Sequence, residues 1–196
     1  MSLLFWNVHG LGNRRTVQEL KSYIRAQDPT TLFLAETWAG EARLINLCTE
    51  LGFDQHWVSP QANRLGCLAL FWKNTVKIDV VSSSSIHIDV VVGESTDGKW
   101  RLTGMYGFAN PAKKSETWAL LCQLRSRLSL LWLVAEDFNE ILWSHENCGI
   151  GPRSENQMKA FRDMLDKAGL KDLGFVGKKF TWKGQRHDGL VLERLD

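Results

Sequence analysis

Several apolar segments of this chain end on residues that can handle a phosphate or a hard cation. Leu3-Leu4-Phe5-Trp6 ends at Asn7, and Leu32-Phe33-Leu34-Ala35 ends at Glu36. Trp100–Tyr106 closes on a tyrosine followed by glycine, and the run from Leu130 to Ala135 delivers Glu136, Asp137 and Asn139. A carboxylate carried to the end of a core strand is costly unless it is paired, hydrogen-bonded or bound to metal. Carboxylates, amides and a phenol gathered at one edge would make an oxygen-rich site of the kind magnesium prefers, completed by water and a substrate phosphate. Such a set suits metal-assisted phosphodiester hydrolysis. Each residue taken singly also has a structural reading. Asn7 fits a loop amide bonded to local backbone, Glu36 an exposed turn acid, and Tyr106 a core tyrosine with a satisfied hydroxyl.

Positioning these groups requires strands that finish on one side of a sheet. Thr16 and Glu19 have capping-box spacing, and Val17, Leu20 and Ile24 follow at helical period until Pro29 blocks continuation. A second helix is expected over about 41–51, stopped by Gly52. Cys67–Trp72 reads as a continuous apolar strand. Val76, Ile78 and Val80 alternate, as do Ile86, Ile88, Val90 and Val92, which places His87 and Asp89 on an outer, solvent-facing side. Asp97-Gly98 reads as a hairpin turn. Further helices are expected over 115–128, with Trp118, Leu121 and Cys122 on one face, and after Ser154 and Gln157, with Met158, Phe161, Leu165 and Ala168 inward and Gly169 as the stop. Phe180-Thr181-Trp182 reads as one more strand. The mixture predicts an α/β sandwich with sheets in the middle and helices outside.

The 196 residues suit one domain, spanning 1–196, and 44% hydrophobic content supports a substantial core. Most of the nine tryptophans are expected in that core. The net charge of +2 neither favours nor excludes a nucleic-acid partner. Arg14, Arg15, Lys113, Lys114, Lys178, Lys179 and Arg186 fall in predicted loops, where they would contact DNA phosphates or simply be solvated. The four cysteines form no CxxC pair and follow no signal peptide, so free thiols in a reducing, intracellular setting are expected, with no disulfide and no zinc site. No apolar run reaches the length of a membrane span.

The segments "FWNVHGLG", "LFLAETW", "MYGFANP", "AEDFNEIL", "KFTW" and "ERLD" occur in the order found in the endonuclease/exonuclease/phosphatase superfamily. The text between them, notably "WRLTGMYGFANP" and "SENQMKAFRDMLDKAGLKDLGFVGKKFTW", most resembles the endonuclease domain of plant LINE-type (non-LTR) retrotransposons. The resemblance implies a four-layer α/β sandwich, two packed and mainly antiparallel sheets flanked by helices. It implies that Asn7 and Glu36 hold Mg2+, with Mn2+ as a substitute. Tyr106 and Asn139 would contact the phosphate, and Asp137 would position or deprotonate the attacking water. Asp196 would match the acid that orients a terminal histidine. DNA is the implied partner of the complete domain and the nucleus the implied location.

Two departures from that pattern stand out. Glu136 occupies the place where the family usually has glycine, adding like charge beside Asp137. The chain also stops at Asp196, before the histidine of a Ser-Asp-His motif. An incomplete domain lacking its last core strand is therefore expected, C-terminally truncated and weakened or inactive as a nuclease. His9 and His145, near motif ends, are minor alternatives as a replacement histidine. The competing readings are a non-catalytic nucleic-acid-binding remnant of the same fold, and a phosphatase acting on a small or lipid phosphoester.

Overall fold

The computed structural model describes residues 1–60, 66–94, 98–135, 137–186 and 189–195. Asp97, Glu136 and Asp196, each part of an expectation above, lie outside these residues, as does the side chain of Arg186. The chain divides into two compact units, Met1–Tyr106 with Leu130–Glu136, and Gly107–Ser129 with Asp137–Asp196.

In the first unit, β1 (Leu3–Asn7) and β2 (Thr31–Ala35) run parallel, joined by α1 (Arg14–Gln27). After α2 (Glu41–Glu50), β3 (Gln55–Val58) and β4 (Ala69–Trp72) complete a sheet of order β1-β2-β4-β3. The second sheet has order β5-β6-β7-β8, from β5 (Ile78–Ser84), β6 (His87–Val92), β7 (Trp100–Met105) and β8 (Trp132–Ala135). The alternation of β2 explains its burial on both faces. Phe33 and Ala35 join Leu68, Leu70, Ile88, Val90 and Leu102 in the core between the two sheets. Leu32 and Leu34 point the other way, against Val17 and Leu20 of α1 and Leu44 and Leu47 of α2. Each such side chain contributes roughly 1.5–3 kcal/mol when fully buried. The expected α/β class, with two packed and mainly antiparallel sheets and flanking helices, is the one formed.

Gly104 of β7 has no room for a side chain, because a Cβ there would lie 2.3 Å from Phe33 Cδ2 and Cε2. Overpacking of this kind costs roughly 1–3 kcal/mol. Gly104→Ala is expected to lower the urea midpoint accordingly, and an unchanged midpoint would show that Phe33 can move.

The second unit contains α3 (Lys114–Arg125), α4 (Glu155–Ala168) and a sheet of order β10-β11-β9, from β9 (Asn147–Gly149), β10 (Trp182–Arg186) and β11 (Gly189–Glu193). Trp118 of α3 stacks on Phe161 of α4 with ring centroids 4.9 Å apart. Ile141, Met158 and Leu195 form a small core beneath Trp182.

Several local expectations are corrected. Asn13, not Thr16, caps α1, its side chain accepting from Arg15 N. Arg14 and Arg15 accordingly sit in the first turn of α1 instead of a loop. The inward face of α4 uses Met164 in place of Leu165. β8 ends the order of its sheet with intermediate burial, and Leu131 before it is 84% exposed, so the apolar run from Leu130 to Ala135 is not the fully buried core strand expected. Of the nine tryptophans only Trp72 is buried, and Trp38, Trp57 and Trp143 are exposed. His87 and Asp89 are buried, not surface residues. His87 pairs with Ser84 Oγ at 2.7 Å and Ser82 Oγ at 3.1 Å, while Asp89 pairs with Arg101 and Thr103. The strand alternation was read correctly, but its polar face is lined by a matching polar network. The four cysteines are free thiols.

Candidate active site

The parallel register of β1 and β2 builds the first group of candidate residues. Asn7 lies opposite Ala35, so the two strands finish together and Glu36 emerges beside Asn7. The pairing continues past the strand ends, with Gly10 N donating to Glu36 O at 2.8 Å and Leu11 N to Thr37 O at 2.9 Å. Asn7 Nδ2 donates to Glu36 Oε1 at 2.9 Å. His9 Nδ1 lies 3.2 Å from Glu36 Oε2. The Tyr106 hydroxyl, delivered by the end of β7, also helps to keep this carboxylate ionised. Tyr106 packs its ring on the core between the sheets, so the core reading of this residue holds beside its role as a site candidate.

Burial alone would raise the Glu36 pKa, but hydrogen bonds from His9, Asn7 and Tyr106 outweigh it and hold the carboxyl at about 2. The unfolded chain titrates this group near 4.5. Above that pH Glu36 is ionised in both states and its bonds contribute fully to folding. As pH falls from about 4.5 to about 2, the unfolded state takes up the proton first and the contribution is lost. In chelator, wild type is therefore expected to lose stability relative to Glu36→Gln across that window. A difference between the two proteins that does not change with pH there would show that Glu36 is not held ionised.

A second group of the expected residues lies in the other unit. Asp137 is 6% exposed, and its Oδ1 accepts from Asn139 N at 2.6 Å, closing a tight turn. Asn139 adopts a left-handed backbone (φ 55), which asparagine tolerates better than most residues. Its Nδ2 donates to Gly107 O at 2.9 Å, while Gly107 N donates to Asp137 O at 2.8 Å. A Cβ on Gly107 would meet Phe138 O at 2.7 Å, so this approach requires glycine.

A charged network unforeseen in the sequence supports that turn. Lys114, expected in a loop, opens α3 and is buried. Its Nζ donates to Asn139 O at 2.5 Å and lies 2.9 Å from Glu140 Oε2. The latter contact is too bent for a hydrogen bond, so Oε2 has no hydrogen-bond partner and the pairing is one of charge. Burial pushes the Lys114 pKa below its usual value, opposed by Glu140. Arg153 pairs with Glu193 through Nε and Nη2, both at 2.7 Å, and also reaches Asn139 O. The sequence signals were the "NE" after Asp137 and a polar residue closing an apolar strand at Glu193, neither of which specifies a partner.

The expected residues thus fall into two groups. Asn7, Glu36 and Tyr106 come together with His9 in one unit, and Asp137 with Asn139 in the other. Three of the five non-glycine residues with positive φ among the described residues, His9, Glu36 and Asn139, lie in these groups, and Trp38 lies two residues from Glu36. Strained backbone of this kind collects at functional sites. No group of three or more His, Cys, Asp or Glu residues is placed to hold a metal ion among the described residues. The donor set at Glu36, one ionised carboxylate and an amide, still fits a hard cation that keeps most of its water.

The sequence profile of the Endonuclease/Exonuclease/phosphatase family matches residues 4–196, and the chain belongs to that family. Among solved structures it is similar to the endonuclease domain of TRAS1, a telomere-specific non-LTR retrotransposon, with TM-score 0.72 and 10% identity over 98% of this chain and 81% of that one. The AP endonuclease LMAP from Leishmania major matches with TM-score 0.69 and 14% identity, covering 98% and 78% of the two chains. The 3' phosphatase NExo from Neisseria, bound to a product DNA hairpin, matches with TM-score 0.68 and 18% identity, covering 98% and 86%. At these identities the likeness is one of fold. No curated protein sequence matches the chain significantly. No described helix is long and apolar enough to cross a membrane.

Proposed function

We propose that this chain binds DNA and hydrolyses phosphodiester bonds as an endonuclease of LINE-type retroelement origin, at a reduced rate. The observation that carries the reading is Glu36, kept ionised inside a cluster of Asn7, His9 and Tyr106 at the shared end of β1 and β2. In this reading Glu36 and the Asn7 amide oxygen hold Mg2+ or Mn2+, which supplies Lewis acidity toward a phosphoryl oxygen when bound. Tyr106, whose single hydroxyl proton otherwise supports Glu36, turns it to a phosphate oxygen, where charge grows in the transition state. Asp137 orients the attacking water and accepts its proton. One amide hydrogen of Asn139 is used by Gly107; the other is assigned to the phosphate. Neutral donors stabilise the developing charge without repelling the substrate.

The reduced rate follows from Glu136, whose charge next to Asp137 in sequence repels phosphate and disfavours an ionised base. Glu136→Gly is expected to raise nicking several-fold; a rate that is unchanged or lower would remove this explanation.

The deciding experiment is nicking of supercoiled plasmid by the purified chain, with magnesium and with chelator. Magnesium-dependent nicking supports the proposal. A folded chain that binds DNA without nicking it would be a non-catalytic module. Phosphate release from a small phosphomonoester without nicking would make it a phosphatase.

A further inference from the structure

Trp38 stands two residues after Glu36, 57% exposed and on left-handed backbone (φ 48). Exposed tryptophans often sit on mobile loops, but this one is held from several sides. Thr37 beside it is fully buried, its Oγ1 donating to Cys67 O at 2.6 Å and its carbonyl accepting from Leu11 N. Ala39 O accepts from Cys67 N at 3.2 Å. A Cβ on Gly66 would lie 2.7 Å from Trp38 N and 2.6 Å from Ala39 N, so the Trp38 backbone is seated against a glycine (φ +82). The indole rests on a second glycine, since a Cβ on Gly10 would be 2.6 Å from Trp38 Cε3 and 3.0 Å from Cδ2. Gly10 adjoins His9, which contacts Glu36. The loops that assemble the Glu36 cluster therefore also fix a large aromatic surface beside it and leave much of that surface open.

We propose that Trp38 is a stacking platform for an unpaired DNA base, so that the chain favours frayed, flipped or single-stranded substrate over fully paired duplex. The inference rests on the DNA reading above and adds to it the state of the base. Every nucleobase presents a π-face, so the platform accepts bases with little sequence preference. Because the ring is already positioned, little conformational freedom is lost on stacking.

The test uses a short single strand carrying 2-aminopurine and the corresponding fully paired duplex, in chelator. Affinity is read by anisotropy and stacking by quenching of the 2-aminopurine. Trp38→Ala is expected to weaken single-strand binding roughly tenfold and to abolish the Trp38-dependent quench. Trp38→Phe is expected to retain most of both, and duplex binding to change little. Matched thermal melts show that each variant is folded. Equal single-strand affinity and quench in Trp38→Ala, or equal losses on strand and duplex, would overturn the proposal. Plasmid nicking measured alongside separates the two ideas. Nicking with Trp38-independent binding removes the platform and keeps the nuclease. Trp38-dependent binding without nicking does the reverse, and a folded chain that binds no DNA overturns both.

Discussion

Asp137→Asn is expected to reduce magnesium-dependent plasmid nicking by about 10²–10⁴-fold while changing stability by less than about 1 kcal/mol. The two effects separate because Asp137 has two features that the substitution splits. Its Oδ1 closes the turn by accepting from Asn139 N at 2.6 Å, and an amide oxygen in the same place accepts that bond equally well. Its charge is what a water must lose its proton to, and an amide cannot take a proton near neutral pH. Asp137→Ala is the complementary variant, since it removes both features and leaves Asn139 N without its acceptor. A stable Asp137→Asn protein that nicks at the wild-type rate would reduce Asp137 to a turn residue.

Asp89→Ala is expected to cost about 3–5 kcal/mol, the largest stability loss foreseen for a single substitution here. Asp89 and Arg101 are both 0% exposed. Arg101 Nε and Nη2 each donate to an Asp89 oxygen at 2.8 Å, and Thr103 Oγ1 donates to the same carboxylate at 2.6 Å. The guanidinium lies 4.8 Å from the Trp132 ring centroid, whose Nε1 in turn donates to Thr103 Oγ1 at 2.8 Å. Removing the carboxylate takes two charge-assisted hydrogen bonds from a buried cation. The loss is a large share of the roughly 5–15 kcal/mol that holds typical proteins folded. Asp89→Ala combined with Arg101→Met is expected to recover part of it, because the buried cation is then removed as well. Urea unfolding of the variants checks both statements, and a loss below about 1 kcal/mol for Asp89→Ala would mean that water reaches Arg101.

Local structure was legible wherever one periodicity dominated. β1, β2, α1 and α4 follow from short apolar runs or from the 3.6-residue spacing of apolar positions, with limits displaced by a residue or two. β3, β9 and β11 were not legible. Gln55–Val58 is largely exposed, Asn147–Gly149 is short, and Gly189–Glu193 owes its identity to the neighbours it pairs with. The candidates Asn7, Glu36, Tyr106, Asp137 and Asn139 stand out in the sequence because a polar residue closing an apolar strand is a one-dimensional pattern. His9 carried little signal there, and its contact with Glu36 depends on two loops meeting.

The sequence by itself determined the α/β class, the family and the residue types offered at the strand ends, since these depend on local spacing and on motifs in order. The tertiary structure alone decided which charges are buried. Lys114, Asp89, Arg101, Glu140 and Glu193 look like ordinary solvated charges in one dimension, yet all are buried. A buried charge is tolerable only beside its counter-charge, and those partners lie far along the chain: Asp89 with Arg101, Lys114 with Glu140, Arg153 with Glu193. Trp38 shows the converse. Most tryptophans are expected in the core, yet this indole lies outside it, because the glycines at 10 and 66 seat it on the surface beside Glu36.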